Sequence, residues 1–394
     1  MIKVLLTSLA VPSHLWTMVI PTARALAAAG HEVTVATAAP MAASHAAAAG
    51  VPMLPLRQML TQDQLAADPE LAAQAGFGGQ GTLADDPDAT PASRFGRFMA
   101  GVLAERAAAE LIDRAAPDLV IRESLDFSGL LLAEKLGVPL VTLDNAPLEL
   151  LARDPALLPW LNRSRAALGL PATTDLAAVT DGPWITWIAP GWTPAAATPP
   201  DSRAYQAPPS PHTPPDLADV EKPLVLVAFG SLLRHTVGVD GSPLARVVEA
   251  LGTLPCTAIV ALGDDEALAA WTGPRPANVR LTGFAPQRAL LPHCDLFITH
   301  AGFGSLRESL TAGVPMLALP LHSEQPANAR RLTELGAGLT LDPATASAAD
   351  IAEATRTLLA DPAYRTAAQD WQRRITALPG TPTMIRDLEA LVRG

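Results

Sequence analysis

Residues 283–330 read GFAPQRALLPHCDLFITHAGFGSLRESLTAGVPMLALPLHSEQPANAR and show most directly how this chain folds. A short apolar run, Asp295–Thr299, is followed by His300, a glycine-rich AGFG turn and a helical pattern that begins near Ser305. A second apolar run, Pro315–Leu319, follows that helix and ends before an acidic loop. This order of strand, turn, helix and strand is typical of a parallel βαβ unit.

The same alternation of apolar runs and alanine-rich helical stretches occurs along most of the chain. Residues 189–221 are rich in proline, which removes backbone donors and disfavours helix, and we place an extended linker at 206–220. The sequence therefore predicts two Rossmann-like, doubly wound α/β domains facing each other across a cleft. The predicted strands are 2–7, 32–37, 118–122 and 139–143 in the first domain, and 224–229, 257–262, 295–299 and 315–319 in the second.

Composition narrows the class of partner. The 394 residues are 49% apolar and carry a net charge of −11 without a basic block. Because phosphate backbones bind clustered Lys and Arg, nucleic acid and anionic membranes are disfavoured. No stretch reaches the roughly 18 uninterrupted apolar residues of a membrane span, and the first apolar run is broken at Pro12 and lacks a cleavage region. We expect a small-molecule partner.

Cysteine usage and metal-ligand spacing are also informative. Cys256 and Cys294 are the two cysteines, both in apolar surroundings, and we interpret them as reduced structural thiols, which fits a cytoplasmic location. No Asp-x-Asp motif and no His/Cys cluster with ligand spacing stands out, so the sequence predicts no metal and no bound cofactor.

The turn that follows the 295–299 run has the features of an anion site. A helix N-terminus presents free N–H groups and the positive end of the helix dipole. Gly302 and Gly304 would let the backbone approach a diphosphate, while His300 and the Ser305 hydroxyl add donors. Ser305 and Glu308 also have the spacing of a capping box, in which the two side chains only satisfy the helix end. From this segment alone both interpretations stay open.

Groups on either side of the turn complete a site for a nucleotide carrying a sugar. Phe284 offers a flat ring to a base, and Gln287 offers a partner for the polar edge of that base. Glu324 and Gln325 follow the next strand, where open α/β sheets bind ligands, and their carboxylate and carboxamide suit vicinal sugar hydroxyls. Ser231 follows the strand at 224–229 and could reach the diphosphate through its hydroxyl and N–H.

His14 is the candidate general base of the first domain. It lies at or near a helix start, where the dipole disfavours imidazolium and keeps the ring able to accept a proton. A lone histidine at such a position is more often a surface or capping residue. Glu123 and Asp126 follow the 118–122 strand, and a carboxylate there could fix the tautomer of the base. We choose Glu123 first and Asp126 second; a solvated acid is the alternative.

The donor-side residues resemble the signature of family 1 glycosyltransferases of the GT-B fold, which runs aromatic-x-P-Q, H-x-G-x-x-S-x-x-E, G-V-P and D-Q. Phe284 stands where plant relatives have Trp, and Glu324 where many members have Asp, so the sugar stays open. The resemblance implies that Phe284 and Gln287 hold the base, Glu308 the ribose, His300 and Ser305 the diphosphate, and Glu324 and Gln325 the sugar.

The start of the chain resembles that of antibiotic-type bacterial members, with SHLW followed by AAAGHEVTVAT. The resemblance implies that His14 is the catalytic base and that Glu123 is its acidic partner. The interval from His14 to Gly30 is one residue longer than the family pattern and contains Pro21. A proline-associated kink or bulge would absorb this extra residue.

The predicted function is that of an inverting glycosyltransferase, moving a sugar from a UDP or TDP sugar to a hydroxyl of a hydrophobic natural product without a metal. Residues 1–205 would bind the acceptor and 221–375 the donor, with a C-terminal helix at 376–394 packing on the first domain. A homodimer is compatible with this reading. A GT-B epimerase would not be expected to carry SHLW, and a nicotinamide oxidoreductase would need GxGxxG after the first strand. A non-catalytic auxiliary of another transferase is the remaining alternative.

Overall fold

The computed structural model describes residues 1–61, 63–64, 67–70, 100–101, 104–145, 155–195, 197–209, 213, 217, 220–230, 243–321 and 324–393. The chain divides into two compact units. The N-terminal unit contains Met1–Pro208 together with Pro379–Gly394, and the C-terminal unit contains Pro209–Leu378.

The N-terminal unit is built on a seven-stranded parallel sheet with the order β3-β2-β1-β4-β5-β6-β7. In the register of the two central strands Thr7 lies opposite Arg122, so the loops that follow these strands emerge side by side. The strands are β1 Lys3–Thr7, β2 Glu32–Ala38, β3 Met53–Leu56, β4 Leu119–Glu123, β5 Leu140–Leu143, β6 Trp184–Thr186 and β7 Ser202–Ala204.

Helices flank this sheet, and the first of them carries a local irregularity. The segment from Pro12 to Ala28 is helical throughout, but Leu15–Val19 form a π-helix in which Ile20 N–H donates to Leu15 O. Pro21 has no N–H and its ring would crowd the carbonyl of Thr17 in a regular α-helix. The bulge expected near Pro21 is therefore present. The α-helices described in this part of the chain are α1 Pro12–His14, α2 Ile20–Ala28, α3 Ala39–Ala49, α4 Ala104–Arg114, α5 Phe127–Leu136, α6 Leu158–Ala167 and α7 Ala177–Thr180.

The C-terminal unit contains a six-stranded parallel sheet with the order β10-β9-β8-β11-β12-β13. Its strands are β8 Leu224–Ala228, β9 Thr257–Ala261, β10 Val279–Thr282, β11 Leu296–Thr299, β12 Met316–Ala318 and β13 Gly338–Thr340. Its described α-helices are α8 Pro243–Gly252, α9 Asp265–Ala270, α10 Gln287–Leu290, α11 Phe303–Ala312, α12 Gln325–Glu334, α13 Ala348–Ala360 and α14 Pro362–Thr376.

The last helix, α15 Thr381–Arg393, packs on the N-terminal unit. Met384 and Leu388 are buried in the core formed by β1, β2 and β4. The Tyr205 hydroxyl donates to Asp387 Oδ2 at 2.6 Å. The polypeptide thus leaves the N-terminal unit after its sheet is complete and returns to supply part of its core.

The predicted class of two doubly wound α/β domains is confirmed. The proline-rich stretch 189–221 contains a strand that was not predicted, because Ser202–Ala204, which precede the predicted linker at 206–220, form β7, and Tyr205 beside them is buried. Cys256 and Cys294 are both free and buried, and burial raises the pKa of the Cys294 thiol to about 12. In the part of the chain that the structure describes, no helix is long and apolar enough to cross a membrane.

Candidate active site

His14 and Glu123 contact each other at the carboxyl edge of the N-terminal sheet. His14 lies on the helical segment after β1, and Glu123 is the last residue of β4, the strand beside it. His14 Nδ1 is 3.3 Å from Glu123 Oε1. The Glu123 side chain is fully buried, whereas that of His14 is 19% exposed. A buried carboxylate thus orients an imidazole that keeps access to solvent.

Backbone donors fix the Glu123 carboxylate. Oε1 accepts from Leu9 N–H at 3.4 Å, and Oε2 accepts from Leu125 N–H at 2.8 Å. A carboxylate accepts hydrogen bonds, so the His14 nitrogen facing it carries the proton. The lone pair is then on Nε2, as a proton acceptor requires.

Asp126, the second choice as partner of His14, caps helix α5 instead. Its Oδ1 accepts from Ser128 N–H at 3.0 Å, and its Oδ2 accepts from Gly129 N–H at 3.2 Å. Burial raises the pKa of Asp126, although the hydrogen bonds from Ser128 oppose this shift. Asp126 therefore serves the helix end, while Glu123 faces the histidine.

Arg122 holds the turn that separates these two acids, a role that sequence reasoning missed. Its fully buried guanidinium donates to the carbonyls of Ser124 and Asp126 at 3.4 and 3.3 Å. Burial lowers the pKa of Arg122 to about 10, with the charges of Asp126 and Glu123 acting in the opposite direction. The buried Arg122 guanidinium thus stabilises the backbone at the end of β4, the strand that carries Glu123.

The capping-box interpretation of Ser305 and Glu308 is wrong. Helix α11 begins at Phe303 and has no side-chain cap. Ser305 Oγ instead donates to Gln287 Oε1 at 3.2 Å, and Gln287 Nε2 donates to Glu308 Oε2 at 2.7 Å. The structure therefore brings these three candidate residues into one hydrogen-bonded cluster.

Glu308 is the acidic member of that cluster. Burial raises the pKa of its carboxyl, although the positive charge of Arg288 and the hydrogen bond from Gln287 favour the ionised form. Burial also lowers the pKa of Arg288, which the charge of Glu308 opposes. The pair gives this site a partly desolvated carboxylate, able to accept hydrogen bonds from hydroxyl groups.

Two glycines make room for the imidazole of His300. A Cβ at Gly302 would lie 2.4 Å from His300 Nε2, and one at Gly230 would lie 2.9 Å from the same atom. Gly230 also has a φ of 77°. Between His300 and Gly302, the buried Ala301 has a φ of 62°, and its carbonyl accepts from Asn328 Nδ2 at 3.0 Å. The backbone of this turn is therefore strained at Ala301 and is stabilised by the hydrogen bond from Asn328. The turn places the His300 ring directly before helix α11.

The remaining candidates lie around the same helix or are fixed nearby. Glu324 Oε1 is 3.5 Å from Phe303 N, at the N-terminus of α11. Gln325 is buried, and its Oε1 accepts from Leu321 N–H at 2.8 Å. The Phe284 ring is 65% exposed, as a stacking surface must be. Gly304 lies in the first turn of α11. Ser231 lies outside the described residues.

The chain is similar in sequence to sugar transferases of Streptomyces. A protein-family model described as "Erythromycin biosynthesis protein CIII-like, C-terminal domain" matches residues 245–391. Demethyllactenocin mycarosyltransferase of Streptomyces fradiae is 29% identical over 272 residues, which are 63% of this chain and 58% of that protein. TDP-daunosamine transferase DnrS of Streptomyces peucetius is 28% identical over 439 residues, covering 99% of this chain and 96% of the relative.

A solved structure extends the similarity to the fold of the whole chain. The spinosyn forosaminyltransferase SpnP superimposes with a TM-score of 0.76 at 25% identity, over 100% of both chains. The protein therefore has the GT-B fold, and its residues 245–391 match the erythromycin CIII-like family model. The match to the mycarosyltransferase spans little more than half of that relative.

Proposed function

We propose that the protein is an inverting glycosyltransferase that moves a sugar from a nucleoside diphosphate to a hydroxyl group of a hydrophobic natural product. The contact of His14 with the buried Glu123 carries the proposal, because it is the arrangement that a general base needs. The cluster of Gln287, Ser305 and Glu308 beside helix α11 supports the donor half.

In the proposed reaction His14 Nε2 removes the proton of the acceptor hydroxyl. The acceptor oxygen forms a bond to the anomeric carbon while the bond from that carbon to the phosphate oxygen breaks on the opposite face. The nucleoside diphosphate leaves with the electron pair, and Glu123 stabilises the imidazolium.

Donor binding is assigned to the C-terminal unit. The N–H groups of the first turn of α11 and the His300 imidazole stabilise the charge that develops on the diphosphate, which needs no metal in this scheme. Activity should therefore persist in EDTA. Ser231 is proposed as a further diphosphate contact. We assign the base to Phe284 and Gln287 and the ribose to Glu308. The sugar is assigned to Glu324 and Gln325.

The names of two relatives narrow the proposed donor. One is a mycarosyltransferase and the other a TDP-daunosamine transferase. We take a TDP-linked deoxyhexose as the first donor to test, followed by UDP sugars.

The decisive experiment replaces His14 by Ala and measures transfer together with TDP binding. We expect His14→Ala to lower kcat by about 10²- to 10⁴-fold, the usual contribution of a general base, with the affinity for TDP unchanged. His45→Ala is the matched control, since it removes another imidazole of the N-terminal unit, one that contacts Trp16. Transfer by His14→Ala at the wild-type rate would refute the mechanism.

A further inference from the structure

Asn145 carries a buried donor that the described residues leave unused. The residue lies just after β5 and is 6% exposed. Its Nδ2 has no hydrogen-bond partner within the part of the chain that the structure describes. A buried donor without a partner costs roughly 1–3 kcal/mol, so such groups in native proteins call for an explanation.

The rest of Asn145 is held firmly. The Thr17 hydroxyl donates to Asn145 Oδ1 at 2.8 Å, and Asn145 N–H donates to Ser124 Oγ at 3.2 Å. These two bonds fix both the backbone and the orientation of the amide. Of the polar atoms of this side chain, Nδ2 is therefore the one that is buried without a partner in the described part of the chain.

These contacts tie Asn145 to both members of the proposed catalytic pair. Thr17 lies one helical turn after His14 on the same segment, and Ser124 directly follows Glu123. All of these residues belong to the N-terminal unit, at the carboxyl edge of its sheet, where open α/β folds bind their ligands. The unused donor is thus close in the fold to the group proposed to activate the acceptor.

We propose that Asn145 is a specificity-determining residue that donates a hydrogen bond from Nδ2 to an oxygen of the acceptor substrate. The inference rests on the proposed function and adds a substrate class to it. The favoured acceptor carries a second oxygen, as a hydroxyl or carbonyl, next to the hydroxyl that is glycosylated. An acceptor without that oxygen leaves Nδ2 buried and unpaired, and is discriminated against for this reason.

The test compares two acceptors that differ in one oxygen, 1,2-dihydroxyanthraquinone and 2-hydroxyanthraquinone, with TDP-glucose or UDP-glucose as donor. For the wild-type protein we expect kcat/KM for transfer to the 2-hydroxyl to be about 10- to 100-fold higher with the dihydroxy compound. Asn145→Asp keeps the oxygen that accepts from Thr17 and removes the donor, and Asn145→Leu removes both. Both variants should bring the ratio close to one and leave KM for the donor unchanged.

The ratio is measured within one preparation, so a partly folded variant still gives a valid result. A wild-type ratio near one, an unchanged ratio in Asn145→Asp, or a change confined to KM for the donor would each overturn the assignment. Absence of transfer by the wild-type protein to both acceptors and to a wider hydroxylated panel would count against the proposed function itself.

Discussion

Two acids three residues apart show how much of a site depends on side-chain direction. Glu123 and Asp126 are both buried at the end of β4, yet one faces His14 and the other caps α5. Their order in the sequence does not separate these roles. The separation depends on the turn between them, which the Arg122 guanidinium holds through backbone carbonyls.

Substitution of Glu123 should therefore affect mainly catalysis, and substitution of Asp126 mainly stability. Glu123→Gln keeps the shape of the side chain but removes the charge that stabilises imidazolium, so we expect kcat to fall by about 10²- to 10⁴-fold with little change in Tm. Asp126→Ala removes a helix cap and should destabilise the protein by about 0.5–2 kcal/mol with a smaller effect on kcat. Kinetics and thermal unfolding of both variants provide the check. Equal losses of kcat in the two would contradict the assignment.

The buried carboxylate of Glu308, proposed to bind ribose, should lower the stability of the folded protein near neutral pH. Burial raises the pKa of its carboxyl above 4.5, so the folded protein holds this proton more tightly than the unfolded chain. The stability contribution of Glu308 therefore falls as pH rises from 4.5 through the raised pKa. We expect Glu308→Gln to be more stable than the wild type at pH 8, with a gap that narrows towards pH 4.5, and to bind TDP more weakly. Chemical unfolding across this range measures the gap, and a gap independent of pH would contradict the prediction.

Strand prediction depended on how apolar each strand is. Six of the eight predicted segments contain three or more consecutive apolar residues, as parallel strands covered on both faces require, and all eight form strands. The five strands that were missed, β3, β6, β7, β10 and β13, contain no three consecutive apolar residues. For example, β7 reads SRA and lies at the edge of its sheet. Such strands are specified by the neighbour that they pair with, which local sequence does not reveal.

The residues of the candidate site were predictable where they follow predicted strands, but the contacts between them were not. Residue types and spacing identified His14, Glu123 and the cluster around α11, because these lie at strand ends whose positions the apolar runs define. Sequence did not reveal that Ser305 and Glu308 meet through Gln287, since that contact joins two helices. Nor did it reveal Asn145, whose buried Nδ2 lacks a hydrogen-bond partner among the residues that the structure describes.

The π-helix at Leu15–Val19 preserves the direction of His14. A residue advances a regular helix by about 100°, and the wide turn of the bulge absorbs one extra residue, so α1 keeps its register with the packed helix α2. Deleting Trp16 should remove the bulge together with the extra residue, keep His14 beside Glu123 and leave kcat within a few-fold of the wild type. Circular dichroism would show that the fold persists.

The control for this deletion is Pro21→Ala. It keeps the number of residues between His14 and the buried face of α2, so the direction of His14 and the kcat should stay within a few-fold of the wild type. A fall in kcat of the Trp16 deletion to the level of His14→Ala would show that the bulge does not simply absorb the extra residue.

In the whole molecule, the last helix in sequence packs on the N-terminal unit, which is the first in sequence. Helix α15 is last in sequence and follows the C-terminal unit, yet Met384 and Leu388 belong to the core of the N-terminal unit. The helix is also tied by Asp387 to Tyr205 and by Glu389 to His31. The stability of the N-terminal unit thus depends on a segment made after the donor-binding residues.

A substitution in α15 should therefore separate the two halves of the proposed reaction. Leu388→Ala leaves a cavity in the N-terminal core and should destabilise that unit by about 2–5 kcal/mol, whereas Arg386→Ala, on the exposed side of the same helix, should change stability by less than about 0.5 kcal/mol. TDP binding measured by calorimetry should be the same in both, because the donor residues belong to the C-terminal unit. On heating, Leu388→Ala should lose transfer at temperatures where it still binds TDP, since His14 and Glu123 are in the unit that unfolds first. Parallel loss of transfer and TDP binding would mean that the two units unfold together and that α15 stabilises both.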